Sequence, residues 1–127
     1  MKLGVFIVLF GQQSFEQALD TAKAAGCEAV EIGTGGYPGT SHVNAQAIVN
    51  DDAAIRRIRE AVDSRGLTIS ALSVHGNPLH PDKAQAGAFH EDFKATVLLA
   101  EKLGVDTVIT FSGLPGESEH SQYPSWV

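Results

Sequence analysis

Cysteine is almost absent from this 127-residue chain. Cys27 stands alone, so no disulfide can close within the chain, and a reducing compartment fits. It opens an expected strand, where a small buried residue is the reading, and no sequence neighbour would activate its thiol. Long apolar runs are missing as well. The run over residues 3–10 is far too short to span a bilayer. No small-residue cleavage site follows it, so no signal peptide is expected and the cytoplasm is the expected location. Positive charge is scarce: 9 Lys and Arg face 15 Asp and Glu, for a net charge of −6. Only Arg56, Arg57 and Arg59 cluster, and they read as a solvated helix face. Such a chain has no field to draw nucleic acid or an anionic membrane. There is no Gly-x-Ser-x-Gly elbow, dinucleotide fingerprint or P-loop, and no Cys/His pair set for nucleophilic attack. No carboxylate-rich metal cage is visible either.

What is present is a repeat. Three times a helix end, a glycine and an apolar run follow one another, with the glycines at positions 26, 66 and 104, about 40 residues apart. A glycine just past a helix supplies the left-handed C′ conformation without steric strain. The apolar run after it begins a buried strand.

The helices before these glycines are amphipathic. Phe15, Ala18, Leu19 and Ala22 mark the first, opened by a Ser14/Gln17 capping box. Ile55, Ile58 and Val62 mark the second, with Asp51 or Asp52 near its N-cap. Phe89, Phe93, Val97, Ala100 and Leu103 mark the third. Strands are expected over 3–10, 29–33, 68–75 and 107–111, apolar on both faces.

The order β-α-β-α-β-α-β calls for parallel strands joined by right-handed crossovers. The expected fold is α/β: the N-terminal half of a (β/α)8 barrel, with strands in sequential order. The single domain 1–127 then holds about four βα units. Residues 114–127 carry Pro115, Gly116 and Pro124 and lack a helical period. They are expected to leave the fourth strand without its helix, the chain stopping inside a loop at Val127. A complete barrel of this kind takes about 250 residues. The connections after strands are long, and in such folds function gathers at those strand ends.

Two stretches there could carry chemistry. Glu31 sits among Val30, Ile32 and Gly33, a carboxylate near the top of an apolar strand. It suits a substrate hydroxyl or a metal at the mouth; a hydrogen-bonded Glu or a rim residue is the plainer reading. The second stretch is Ser73-Val74-His75-Gly76-Asn77-Pro78-Leu79-His80-Pro81. It puts His75, Asn77 and His80 within six residues, His75 at the strand end. Imidazole serves as ligand, proton carrier or donor. A rim histidine bonded to a carbonyl, and a His80 fixed by its prolines, are the alternatives. Two histidines five apart match no standard zinc spacing. Residues 33–39, Gly-Thr-Gly-Gly-Tyr-Pro-Gly, read as a flexible loop with amides open to an anion and Tyr37 open to a sugar ring. His42, His90 and His120 read as surface residues.

The opening Lys2-Leu3-Gly4-Val5-Phe6, the strand end Val30-Glu31-Ile32-Gly33 and above all residues 73–81 resemble sugar phosphate isomerases/epimerases of the xylose isomerase-like barrel superfamily. Leu103-Gly104-Val105-Asp106-Thr107-Val108 is similar to that group too. The resemblance implies a small sugar, polyol or sugar phosphate as substrate, and proton transfer next to a carbonyl. It implies one divalent metal (Mn, Mg, Co or Zn) at the mouth, held by ligands on later strands beyond Val127. On this chain it leaves substrate-side positions: Glu31 and His75, with Asn77 and His80 beside them. The chain alone is then expected to be inactive, needing a C-terminal half or self-association. A polyol dehydratase or an abasic-site endonuclease-like enzyme shares the barrel, the latter disfavoured by the acidic charge. A non-catalytic, doubly wound binding domain is the reading from another class. It requires a strand order other than 1-2-3-4 and helices on both faces.

Overall fold

The computed structural model describes residues 1–125. Val127, where the fourth unit is expected to break off, lies outside the described residues. Four strands form one parallel sheet in the order β1-β2-β3-β4. They are β1 (Gly4–Phe6), β2 (Ala29–Gly33), β3 (Thr68–Ser73) and β4 (Val108–Ile109). The helices between them are α1 (Phe15–Ala24), a single turn α2 (Ala45–Ile48), α3 (Asp52–Asp63) and α4 (Lys83–Leu103).

The local signals work as their chemistry requires. Ser14 caps α1 in a reciprocal box with Gln17. Asp51 caps α3 through the Ala54 amide at 2.9 Å. Gly26, Gly66 and Gly104 all take positive φ after α1, α3 and α4.

Sequential strand order decides between architectures. A doubly wound domain reverses its order at a switch point; this sheet does not. One face of the sheet is packed: Val30, Ile32 and Leu72 lie in a core with Leu19 of α1, Ile58 of α3 and Leu99 of α4. The other face is an open trough of about 490 Å³, lined by Gly4, Phe6, Ala29, Glu31, Thr68 and Ser70. In a closed barrel that face is the interior, filled by layers of side chains. The doubly wound reading is therefore excluded; β1 and β4 are apolar throughout as expected, while β2 and β3 carry Glu31, Thr68 and Ser70 on the open face.

Three expected boundaries shift. β1 ends at Phe6 because residues Ile7–Phe10 turn into a 3-10 helix. Ile7 is fully buried there, so hydropathy alone could not tell its turn from a strand. β3 stops at Ser73 and leaves His75 beyond the ladder, although the Val74 amide still donates to Ile109 at 2.9 Å. β4 is two residues long rather than five, and Phe111 lies past it.

α4 buries only part of its expected stripe, with Ala100 and Leu103 inward as expected. Ala95, Thr96 and Leu99 are buried with Ala100 and Leu103, while Phe93 and Val97 are 36% and 43% exposed. Small residues at 95 and 96 let the helix approach β3 and β4 closely; bulky ones could not. Among the described residues no helix is long and apolar enough to cross a membrane.

Candidate active site at the strand ends

Glu31 projects from the middle of β2 onto the open face, opposite Phe6 of β1 in register. It is half-buried. The Ser73 hydroxyl, from the end of β3, donates to Glu31 Oε1. A carboxylate held by a neutral hydroxyl keeps its other oxygen for a ligand.

His75 follows two residues after Ser73 and stands among aromatic rings. Its imidazole centroid is 4.7 Å from that of Phe111 and 6.3 Å from that of Phe6. Phe6 thus borders both Glu31 and His75. Tyr37 extends the wall, 6.3 Å from Phe111 and 5.0 Å from Phe89. Tyr37 and Phe111 are 56% and 48% exposed, so this wall meets solvent. Its chemistry is one carboxylate and one imidazole set against apolar rings.

Asn77 and His80 stand elsewhere. Asn77 is fully buried. Its Oδ1 accepts from the Leu114 amide at 2.8 Å and the Leu79 amide at 3.2 Å. Its Nδ2 donates to the Leu114 carbonyl at 2.9 Å. The carboxamide ties the loop after β3 to the loop after β4. His80 is buried too, and its Nδ1 accepts from the Asp82 amide at 3.0 Å. Asp82 in turn caps α4.

The glycine-rich loop is not free. Thr34 N donates to the Ser73 carbonyl at 2.9 Å and Tyr37 N to the His75 carbonyl at 2.7 Å. Gly36 N donates to Asp92 Oδ2 at 2.8 Å. These amides are committed to the fold, so the loop is neither loose nor open to an anion at those positions. His90 and His120 are exposed as expected. His42 is not a plain surface residue. It is half-buried, its ring lies 6.3 Å from Phe15, and its Nε2 has no hydrogen-bond partner among the described residues.

Sequence reasoning passed over Ser73, Phe111, Asp92 and Thr96. The last two had a signal: polar residues four apart, on a helix whose neighbouring positions 95 and 99 are apolar.

Residues 19–126 match the family described as Xylose isomerase-like TIM barrel. The chain belongs to that family. The sequential parallel sheet, helix-covered on one side, is the matching half of such a barrel. The chain is also similar to an uncharacterized protein, YfiH, of Bacillus subtilis (strain 168), at 33% identity over 128 residues. That match covers 100% of this chain and 40% of YfiH, so the chain spans well under half of the relative's length.

The metal implied by the resemblance meets no ligand set here. Among the described residues no three His, Cys, Asp or Glu side chains converge to hold an ion. The resemblance puts its ligands past Val127, and Val127 itself lies outside the described residues. Glu31 is bonded to Ser73, and His75 is packed among rings.

Proposed function

We propose that this chain supplies the substrate side of a barrel that isomerises or epimerises a small sugar or sugar phosphate by moving a proton next to a carbonyl. The observation that carries the reading is the Glu31–Ser73 pair beside His75 and its aromatic wall. A carboxylate accepts from sugar hydroxyls, and an imidazole donates to a hydroxyl or carbonyl oxygen. Ring faces cover the apolar C–H surface of a sugar and keep water off it. A divalent metal would polarise the substrate oxygens, but these residues give it no site, and no step here depends on it. The activity is that of a whole barrel, with this chain alone inactive.

Carbon-bound proton exchange tests it. An intact barrel containing these residues is incubated in D2O with aldoses, ketoses and their phosphates, in the presence of Mn, Mg, Co or Zn ions. Deuterium entering next to the carbonyl of one sugar is the expected result. A folded barrel that exchanges none of them overturns the reading.

A further inference from the structure

The loop after β2 meets α4 through polar groups. Asp92 and Thr96 lie one helical turn apart and face the same loop. Thr96 hydrogen-bonds the Thr34 hydroxyl at 2.8 Å, and Thr34 donates on to the Ser73 carbonyl at 3.2 Å. Asp92 accepts from the Gly36 amide at 2.8 Å and from Gln46 Nε2 at 2.5 Å. Its partners are therefore 56 and 46 residues away in sequence.

The space around these bonds is tight. Gly36 has a φ of +64°, and a Cβ there would collide with the His75 carbonyl oxygen. A Cβ on Gly35 would lie 2.9 Å from Asp92 Cγ. The next amide, that of Tyr37, donates to the same His75 carbonyl at 2.7 Å. Asp92, Gly36, Tyr37 and His75 thus form one continuous set of contacts, running from α4 to the aromatic wall.

We propose that Asp92 is a positioning residue: by holding the Gly36 amide from α4, it sets where Tyr37 and His75 stand at the strand ends. The proposal rests on the sugar-site reading only in taking those two side chains as substrate-facing. The work is done by acceptor geometry rather than charge. Asparagine at 92 can present Oδ1 to the Gly36 amide and Nδ2 to Gln46, once Gln46 turns its amide over. Alanine can do neither.

NMR of an intact barrel containing these residues, labelled at Gly, Tyr, His and Leu, tests this with Asp92→Ala, Asp92→Asn and Gln46→Ala. Losing this hydrogen bond should lower the exchange protection of the Gly36 amide by roughly 2- to 10-fold in Asp92→Ala. The Tyr37 and His75 ring signals should shift with it, while core signals such as Leu19 stay in place. Asp92→Asn should restore all three readouts. Gln46→Ala removes an exposed partner and keeps the fold, so it should loosen Gly36 in the same direction by a smaller factor. Unchanged Tyr37 and His75 signals in Asp92→Ala, or in Gln46→Ala should Asp92→Ala not fold, overturn the proposal. An Asp92→Asn variant as loose as the alanine one also overturns it. Adding sugars separates the two readings. Rings that move in Asp92→Ala, with no sugar exchanged by the intact barrel, leave the positioning role standing and remove the sugar site.

Discussion

Ser73 and Glu31 are joined across two neighbouring parallel strands, hydroxyl to carboxylate, 42 residues apart in sequence. A buried serine on one strand end aims a half-buried carboxylate on the next. The pair leaves Glu31 an acceptor on the open face.

Glu31→Gln should lower the kcat/KM of an intact barrel by roughly 10- to 100-fold, the range for losing a hydrogen bond to a charged group. Ser73→Ala should lower it less, because it frees the carboxylate without removing it. Steady-state kinetics of the exchange reaction check both. Wild-type turnover in Glu31→Gln removes the residue from the site.

Asn77→Ala should act on stability. It strands the Leu114 and Leu79 amides and the Leu114 carbonyl in a part-buried loop junction. A loss of roughly 2–3 kcal/mol in urea unfolding is expected.

The two positive-φ glycines of the loop after β2, Gly36 and Gly39, should respond differently to alanine. Gly39 has a φ of +73° and open space around it, so Gly39→Ala should cost only the left-handed backbone penalty, about 1 kcal/mol. Gly36 shares the positive φ but abuts the His75 carbonyl. Gly36→Ala should cost more, and it should displace the Tyr37 ring signals where Gly39→Ala does not.

The inward face of α4 can be read from truncations. Leu99 is fully buried, so Leu99→Ala should cost about 3 kcal/mol. Val97 is exposed, so Val97→Ala should change stability by less than about 0.5 kcal/mol. Denaturation midpoints compare them directly.

Acid should weaken the fold through three carboxylates. The Arg65 guanidinium holds Asp20 below the ordinary value of 3.8. The Ala54 amide does so for Asp51, and Gln85 with the Ala84 and Gln85 amides for Asp82. A carboxyl whose folded pKa is depressed stabilises above its unfolded value and loses that stabilisation as pH falls through the folded one. Through these three groups, stability should decline as pH falls below about 4. Asp51→Asn and Asp82→Asn keep their caps and should flatten that decline. Urea midpoints across the acid range up to neutrality check the slope.

Much of this molecule is local and was legible in the chain. The Ser14/Gln17 box and the three C′ glycines depend on contacts within a few residues, which any sequence displays. The order of elements called for a parallel sheet, because a helix between two strands returns the chain to the end where the first strand began. Glu31 stood out as a charge in an apolar strand, and His75 as an imidazole at a strand end. What the tertiary structure decided is long-range. Whether residues 7–10 extend or turn depends on which strands they meet. Which face of α4 is inward depends on how closely β3 and β4 must be approached, and hydropathy alone counted Phe93 and Val97 inward, where the structure leaves them exposed. Asn77 has the chemistry of a ligand contact, yet its polar atoms are consumed by Leu79 and by the loop after β4, while His80 spends its Nδ1 on the Asp82 amide. Asp92, Thr96 and Ser73 gain their roles only through partners about 40 to 60 residues away. A hydrogen bond at that separation has no signature in either residue alone, because it exists only once the sheet has brought both ends together.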